Sequence, residues 1–322
     1  MTAMPTEKDA ADVAARVLRR AVLHARRFPT GEGNFVFDMT MVDGDRVVVR
    51  MNTPEHVAVL KGAVHWSVTL RPLGVPLPSL LFADLDMKDG PFPFLVMERF
   101  PGTDLGDVYR TLWVEEKRAL ARTLAGHQRL VGGLPSGKGY GFALGYDGRF
   151  PHATWPDVVA SMIDRSRRRV AANGIVDPAH VERVAAIASA EVAELAGIAA
   201  TPFLHDITTK NVIVHQGRLS GIVDVDDLCF GDPGLTIALT RMALLARGWE
   251  TDYIDFWCEA AGVGESRRRL DLYTAIFAID FMAEVGHRYH TRDAARPADM
   301  AYVARLIDIL GMLLSRLAPV RA

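Results

Sequence analysis

The 322-residue sequence has little of several features that would mark other classes of protein. It has two cysteines, Cys229 and Cys258, far apart in apolar surroundings, so we expect buried thiols in a reducing cytoplasm instead of a disulfide. The formal net charge is only −2 at pH 7. No global field therefore recruits nucleic acid or an anionic membrane, and neither is expected as a partner.

Long apolar runs are also missing. Residues 1–28 carry acids and bases throughout, which predicts an amphipathic N-terminal helix and not a signal peptide. The most apolar late segment, ARLIDILGMLLSRLAPV, is broken by Arg305, Asp308 and Arg316, which is typical of a packed C-terminal helix. No Gly-x-Ser-x-Gly motif occurs, which disfavours serine hydrolase chemistry. We expect a cytoplasmic protein that does not enter a membrane.

The chain changes character near residue 100. Before it, β-rich runs are separated by Asp43-Gly44 and Asp89-Gly90 turns, with one helical stretch from Glu55 to Leu70. From Thr103 onward the periodicity predicts mostly helices, interrupted by a pair of short strands within residues 203–233. This pattern indicates an α+β chain with a sheet-rich lobe over residues 1–101 and a helical lobe over residues 102–322.

The strand pair carries the clearest chemistry. In FLHDITTKNVIV, Asp206 and Asn211 flank a tight loop, and Asp224 ends the next strand after a Gln216-Gly217 turn. A hairpin brings the start of one strand near the end of its partner, so Asn211 and Asp224 should converge. Carboxylate and amide oxygens suit Mg²⁺ that also binds phosphate. Asp206 could then accept a proton from a hydroxyl, as in phosphoryl transfer.

These motifs resemble the aminoglycoside phosphotransferase and choline kinase-like family, small-molecule relatives of protein kinases. The family pattern is His-Gly-Asp-x-x-x-x-Asn, an apolar strand, Ile-Asp-(aromatic)-x-Asp, and then Gly-Asp-Pro. The spacing is kept by Asp206, Asn211, Asp224, Asp227 and Gly231-Asp232-Pro233. The resemblance covers roughly residues 30–240. It implies a bilobal protein-kinase-like fold, with a small antiparallel-sheet N-terminal lobe that binds the nucleotide and a larger, mainly helical C-terminal lobe.

The resemblance also implies a nucleotide site upstream of the hairpin. GEGNFVFDMT resembles the strand–turn–strand that covers the phosphates, VVVRMN the strand that bears a phosphate-gripping cation, and FLVMERFPG the hinge beside the adenine. The implied contacts are Gly31, Gly33 and Asn34 with phosphate, Arg50 with the α- and β-phosphates, Met97 behind the base, and the backbone of Glu98 and Phe100 with adenine. The implied cofactors are ATP or GTP and Mg²⁺.

The sequence departs from the family pattern in the catalytic loop and after it. Leu204 stands where the family has His, and we expect it to serve as a core residue. Thr236 stands where an Asp commonly follows Gly-Asp-Pro, and its hydroxyl is expected to cap a helix. Asp226 and Asp227 stay open between a capping role and a second-metal role.

A second departure concerns the phosphate-gripping cation. Arg50 replaces the usual Lys, and no Asp or Glu occurs between Glu55 and Asp84. The acidic partner that the family places on the following helix, near Ala63, is therefore absent. Either Glu55 serves from the start of the helix, or Arg50 acts without an ion pair.

The main hypothesis is an ATP- or GTP-dependent phosphotransferase acting on a hydroxyl of a small molecule, as a monomer or homodimer. A nucleotide-binding module of the same fold with little or no transferase activity is the alternative, and a metal-dependent phosphohydrolase comes third. From Arg241 to the end there are eleven acidic residues and eleven arginines, without the acidic bias that a polycationic aminoglycoside would want. The acceptor is thus left open.

Overall fold

A computed structural model describes residues 4–29, 33–263, 267–287 and 298–318. The N-terminal lobe is a five-stranded antiparallel sheet in the order β1-β2-β3-β5-β4, with helices beside it. Its elements are α1 (Glu7–Leu18), β1 (Val22–Arg27), β2 (Phe35–Met41), β3 (Arg46–Met51), α2 (Val57–Leu70), β4 (Leu80–Asp84) and β5 (Phe94–Glu98).

One face of the sheet is covered by α1. Alternate residues of β2 point toward this face because side chains in a strand have a period of two. The residues buried there include Phe35, Phe37 and Met39, which pack with Ala10 and Val13 of α1. The hairpin between β2 and β3 turns at Asp43-Gly44, as predicted, with Gly44 at φ 90°.

The prediction of one helix over residues 1–28 is wrong beyond Leu18. Arg19 adopts the left-handed conformation and ends α1, and β1 then pairs with β2 at the edge of the sheet. β1 is an edge strand whose basic residues, Arg26 and Arg27, are not buried, so its composition is compatible with either an exposed strand or an exposed helix. Composition alone could not separate the two.

The second half of the fold begins after the hinge and is mainly helical. Its elements are β6 (Thr103–Asp104), α3 (Leu105–Val108), α4 (Val114–Gly132), β7 (Gly141–Ala143), α5 (Trp155–Asn173), α6 (Ala179–Ala190), α7 (Val192–Ala196), β8 (Thr201–Phe203), β9 (Val212–His215), β10 (Arg218–Ile222), β11 (Leu228–Gly231), α8 (Gly234–Ala246), α9 (Asp252–Ala261), α10 (Arg267–Glu284) and α11 (Met300–Leu317). In the described part of the chain, no helix is long and apolar enough to cross a membrane.

Two three-stranded sheets lie in this helical part of the fold, in the orders β10-β9-β6 and β7-β11-β8. β9 and β10 form the predicted hairpin, and β6 adds to the outer edge of β9 directly after the hinge. The turn residues Gln216 and Gly217 both have positive φ, which matches the twist of a tight hairpin. β11 lies between β7 and β8, so the short strand β7, from the segment between α4 and α5, supports the segment that follows Asp224.

Candidate active site

A cavity of about 570 Å³ lies between the five-stranded sheet and the β9–β10 hairpin. Every predicted site residue that the structure describes lines this single cavity. These residues are Gly33, Asn34, Arg50, Met97, Glu98, Phe100, Asp206, Asn211 and Asp224. The remaining predicted contact, Gly31, lies outside the described residues.

The loop that carries Asp206 is fixed through the backbone of Leu204. The side-chain amide of Gln128 on α4 both accepts from the Leu204 N–H (3.0 Å) and donates to the Leu204 carbonyl (2.8 Å). The Thr236 hydroxyl donates to the same carbonyl at 2.7 Å. Leu204 itself is buried, as expected for a core residue. Two neutral groups thus hold the loop at the position where the family has His.

The expectation that Thr236 caps a helix is wrong. Thr236 lies inside the first turn of α8, and its hydroxyl reaches back to the catalytic loop. The residue before α8 is Pro233, which makes no side-chain capping bond, and the preceding Asp232 accepts from the Gly234 N–H through Oδ1 at 2.9 Å. The Asp232 carboxylate also accepts from the Tyr273 hydroxyl at 3.0 Å, which ties the turn to α10.

Asp206 lies at the floor of the cavity with few compensating contacts. Thr208 donates to its Oδ1 at 3.4 Å. Burial, and next the negative charge of Asp224, raise the pKa of Asp206 to about 7. A carboxyl group with a pKa near neutrality can exchange a proton with a reacting hydroxyl under ordinary conditions.

Asn211 and Asp224 converge at the open end of the hairpin. The Val223 N–H donates to the Asn211 carbonyl at 2.9 Å, so the residue before Asp224 pairs directly with Asn211. The Asn211 Nδ2 donates to the Asp206 carbonyl at 2.8 Å, which orients the amide and leaves its Oδ1 for another partner. Asp224 has a positive φ of 63°, an uncommon conformation that ends β-type pairing and turns the side chain into the cavity.

The donor set fits a magnesium ion bound mainly through a nucleotide. Asp224 and Asn211 offer one carboxylate and one amide oxygen, the hard ligands that Mg²⁺ takes while keeping phosphate and water oxygens. No group of three or more His, Cys, Asp or Glu side chains within the described residues could hold a metal alone. Burial, and next the charge of Asp224, raise the pKa of Asp206. Burial also raises the pKa of Asp226 to about 6 against the opposing charge of Arg50, and the charge of Asp224 adds to the rise, so the acids are crowded. A divalent cation would relieve this repulsion.

Arg50 has acidic partners, and Glu55 is not one of them. Arg50 Nη2 donates to Asp224 Oδ1 at 2.8 Å and also forms an ion pair with Asp226. Glu55 is exposed in the short turn of 3-10 helix before α2, and its carboxylate bonds with the Thr53 side chain. Both possibilities predicted for Arg50 are therefore wrong, because its acids come from the segment that follows the catalytic hairpin.

The phosphate-covering turn joins the same network. Asn34 Nδ2 donates to Asp226 Oδ2 at 3.3 Å, and Asn52 Nδ2 donates to both Asn34 Oδ1 and the Gly33 carbonyl at 3.0 Å. Asn52 lies two residues after Arg50 and is fully buried. Gly33 and Asn34 are thus held by the side-chain amide of Asn52, which directly follows β3.

The hinge end of the cavity is apolar with a few polar groups. Met97 and Glu98 end β5, and the Glu98 carboxylate accepts from the Ser79 N–H at 3.1 Å and the Ser79 hydroxyl at 2.9 Å. The ring of Phe100 packs on Gly221 of β10, where a Cβ would lie 2.1 Å from the ring. Residues of both lobes therefore meet at the predicted adenine pocket.

Gln128 and Asn52 were missed in the sequence, because the partners of these polar groups lie far away in the chain and no local spacing indicates them. Asp226 and Asp227 were noticed but left open between a capping role and a second-metal role, and Asp226 instead forms an ion pair with Arg50. His205 and Asp227 are a further pair from separate segments, with Nε2 and Oδ1 2.6 Å apart. Burial lowers the pKa of His205 to about 4 and raises that of Asp227 to about 8, so both groups favour their uncharged forms.

The sequence matches the model of the phosphotransferase enzyme family (APH) over residues 24–273. No curated protein matches it. Among solved structures, the apo form of a thermostable mutant of aminoglycoside phosphotransferase APH(4)-Ia has a TM-score of 0.63 at 17% identity, with 97% of each chain covered. A GDP complex of an aminoglycoside 2'-phosphotransferase-IIIa mutant has a TM-score of 0.64 at 15% identity, with 95% of this chain and 96% of that chain covered.

A third similar structure is a putative fructosamine-3-kinase from Thermobifida fusca, with a TM-score of 0.59 at 19% identity over 97% of this chain and 100% of that chain. At these identities the likeness establishes the fold, and the predicted bilobal kinase-like α+β fold is confirmed. The family match spans more than half of the sequence. The chain therefore belongs to the phosphotransferase enzyme family, as its motifs predicted.

Proposed function

We propose that the protein transfers the γ-phosphoryl group of ATP or GTP to a hydroxyl of a small molecule. The observation that carries the proposal is the convergence of Asp206, Asn211, Asp224 and Arg50, from distant parts of the chain, on one cavity. The hinge residues at the far end of the same cavity support a nucleotide whose base and phosphates lie along it. Solved relatives were crystallised with ADP, AMP-PNP or GDP, which supports this choice of cofactor.

In this mechanism Asp206 receives the proton of the acceptor hydroxyl. The hydroxyl oxygen forms a bond to the γ-phosphorus while the bond from that phosphorus to the β–γ bridging oxygen breaks, and the nucleoside diphosphate leaves. The raised pKa of Asp206, about 7, makes it a suitable base near neutral pH. Gln128 and Thr236 keep the loop in place, so the carboxylate can orient the nucleophile.

Asp224 and the Oδ1 of Asn211 would hold Mg²⁺, which supplies positive charge against the phosphates when bound. Arg50 would contact the α- and β-phosphates, and the backbone around Gly33 and Asn34 would cover these phosphates. Met97, Glu98 and Phe100 would enclose the base. These assignments follow the family resemblance, and the shared cavity supports them.

The acceptor is proposed by its chemistry, as a hydroxylated small molecule. Relatives with this fold include one crystallised with hygromycin B and one described as a putative fructosamine-3-kinase, so the fold accommodates different acceptors. Both cysteines are free thiols, which supports a reducing cytoplasmic location where nucleotides are available.

The test is phosphoryl transfer itself. The protein is incubated with Mg²⁺ and γ-labelled ATP or GTP and a panel of aminoglycosides, amino sugars, ketosamines, amino alcohols and sugars. We expect label on at least one hydroxylated compound, and far slower labelling of that compound with Asp206→Asn. Mg²⁺-dependent stabilisation by nucleotide without transfer to any compound would instead favour the nucleotide-binding module. Release of free phosphate with no acceptor labelled would favour a phosphohydrolase.

A further inference from the structure

The helix that would carry the acidic partner of Arg50 is unsuited to that role. α2 has no Asp or Glu, and Ala63 and Ser67 are the α2 residues that line the cavity. At Gly62 a Cβ would lie 2.2 Å from the backbone carbonyl of Asp226. The helix therefore lies in direct contact with the segment after Asp224, at a distance that only glycine allows.

This close approach brings the Asp226 carboxylate to Arg50. Only 5% of the Arg50 side chain and 17% of the Asp226 side chain are exposed, and the two form an ion pair. Asp224, which also contacts Arg50, has 49% of its side chain exposed. A buried guanidinium without an acid would be strongly destabilising, so the better-buried carboxylate is the one that can stay with Arg50.

Asp226 also has a second connection. Its Oδ2 accepts from Asn34 of the phosphate-covering turn at 3.3 Å, and Asn34 is held by Asn52. One carboxylate thus contacts both the strand that bears the cation and the turn that covers the phosphates. Two buried polar atoms of this network, Arg50 Nε and Asp226 Oδ1, have no hydrogen-bond partner among the described residues. The network is therefore not saturated by the protein alone.

We propose that Asp226 is the positioning residue of Arg50, in place of an acid on the helix, and that it aligns Arg50 with the phosphate-covering turn. The inference rests on the proposed function, since it assigns Arg50 to a nucleotide phosphate. Asp224 and Asp226 then have separate tasks. Asp224 is free to serve a metal because Asp226 alone can balance the charge of Arg50. The ion pair that positions Arg50 therefore joins the two lobes, whereas an acid on α2 would have kept it within the N-terminal lobe.

The test is a double-mutant cycle of Asp226→Asn and Arg50→Met, read in two ways. Nucleotide affinity is measured by calorimetry with ATP or GTP in excess Mg²⁺, and stability by urea unfolding. We expect each single variant to weaken nucleotide binding by about 10- to 100-fold, and the double variant to be no weaker than Arg50→Met. Asp226→Glu should recover most of the affinity.

Asp271→Asn is the matched control. Asp271 on α10 forms a largely buried ion pair with Arg241 at 2.6 Å, with 14% of the Asp271 and 13% of the Arg241 side chain exposed, and neither residue lines the cavity. We expect it to lower stability as Asp226→Asn does, with nucleotide affinity unchanged. Losses that multiply in the double variant, or wild-type affinity in Asp226→Asn, would overturn the role of Asp226. A wild-type protein that binds neither ATP nor GTP would overturn the proposed function itself. In that case the urea-unfolding free energies of the same variants would still measure the coupling between Arg50 and Asp226.

Discussion

The two walls of the cavity differ in how closely they follow the family pattern. The C-terminal wall keeps Asp206, Asn211 and Asp224 at the family spacing, on a hairpin formed by neighbouring segments of the chain. The N-terminal wall has Arg50 in place of Lys and no acid on α2. The difference indicates that the C-terminal wall is built from local geometry, whereas the N-terminal wall depends on an acid supplied by the opposite lobe.

The largest effect expected from a change in the C-terminal wall is that of Asp206→Asn. We expect turnover to fall by about 10²- to 10⁴-fold, because the variant cannot accept the proton of the acceptor, while the affinity for Mg²⁺ and nucleotide stays near the wild-type value. Steady-state kinetics on the labelled acceptor and calorimetry with nucleotide measure the two quantities. Equal losses in both would contradict a separate role for Asp206 in the C-terminal wall.

Asp224→Ala should affect binding and not only turnover. We expect the Mg²⁺-dependent part of nucleotide affinity to fall by about 10- to 100-fold, since the carboxylate oxygen for the metal is removed. Calorimetric titration with nucleotide, with and without Mg²⁺, measures that part. If Mg²⁺ enhanced binding equally in the variant and the wild type, the assignment of the metal to Asp224 would be wrong.

The contact between the walls is tested by Gly62→Ala. The added Cβ would lie 2.2 Å from the Asp226 carbonyl, so we expect a loss of about 1–3 kcal/mol in the free energy of unfolding and weaker nucleotide binding. Gly311→Ala is the control, because Gly311 is also helical but has nothing within 4 Å. That variant should gain about 0.5–1 kcal/mol. A gain of the same size at Gly62 would mean that the close approach is unimportant.

The smallest expected effect is a dependence of stability on pH. The folded protein raises the pKa of Asp206 to about 7, so the folded state holds this proton more tightly than the unfolded state. The wild type therefore loses stability as pH rises through the interval between the ordinary carboxyl pKa and about 7. Asp206→Asn lacks this loss, and its melting temperature relative to wild type should rise by a few degrees over that interval in metal-free buffer.

Asp104→Asn sharpens the measurement. Burial, and next the charge of Asp107, raise the pKa of Asp104 to about 6. The melting temperature of Asp104→Asn relative to wild type should therefore also rise with pH, and the rise should end near pH 6. Differential scanning calorimetry across the pH range compares the two variants. A relative melting temperature that is constant with pH, or falls, in Asp206→Asn would contradict the raised pKa.

The sequence was most informative where structure follows from neighbours in the chain. The Asp43-Gly44 and Gln216-Gly217 turns and the spacing of Asp206, Asn211 and Asp224 predicted two hairpins, because turn chemistry and strand period act over a few residues. The residues after Leu18 escaped prediction, since an edge strand with charged side chains has no distinctive composition.

Contacts between distant segments could not be predicted. Arg50 and Asp226 are 176 positions apart, and their pairing depends on the absence of a side chain at Gly62 in a third segment. Thr236 reaches the Leu204 carbonyl across 32 positions, although its place in the sequence indicated a cap. In each case the partner is decided by how helices and strands pack, which a local pattern does not contain.

The central claim is that both walls meet on one magnesium nucleotide. Crystals grown with Mn²⁺ and a non-hydrolysable ATP analogue would test it most directly, because the anomalous signal locates the metal. The account predicts a metal peak within coordination distance of the Asp224 carboxylate and Asn211 Oδ1, with phosphate oxygens beside Arg50 and Arg50 still paired with Asp226. A nucleotide bound outside this cavity, or a metal held by other residues, would contradict it.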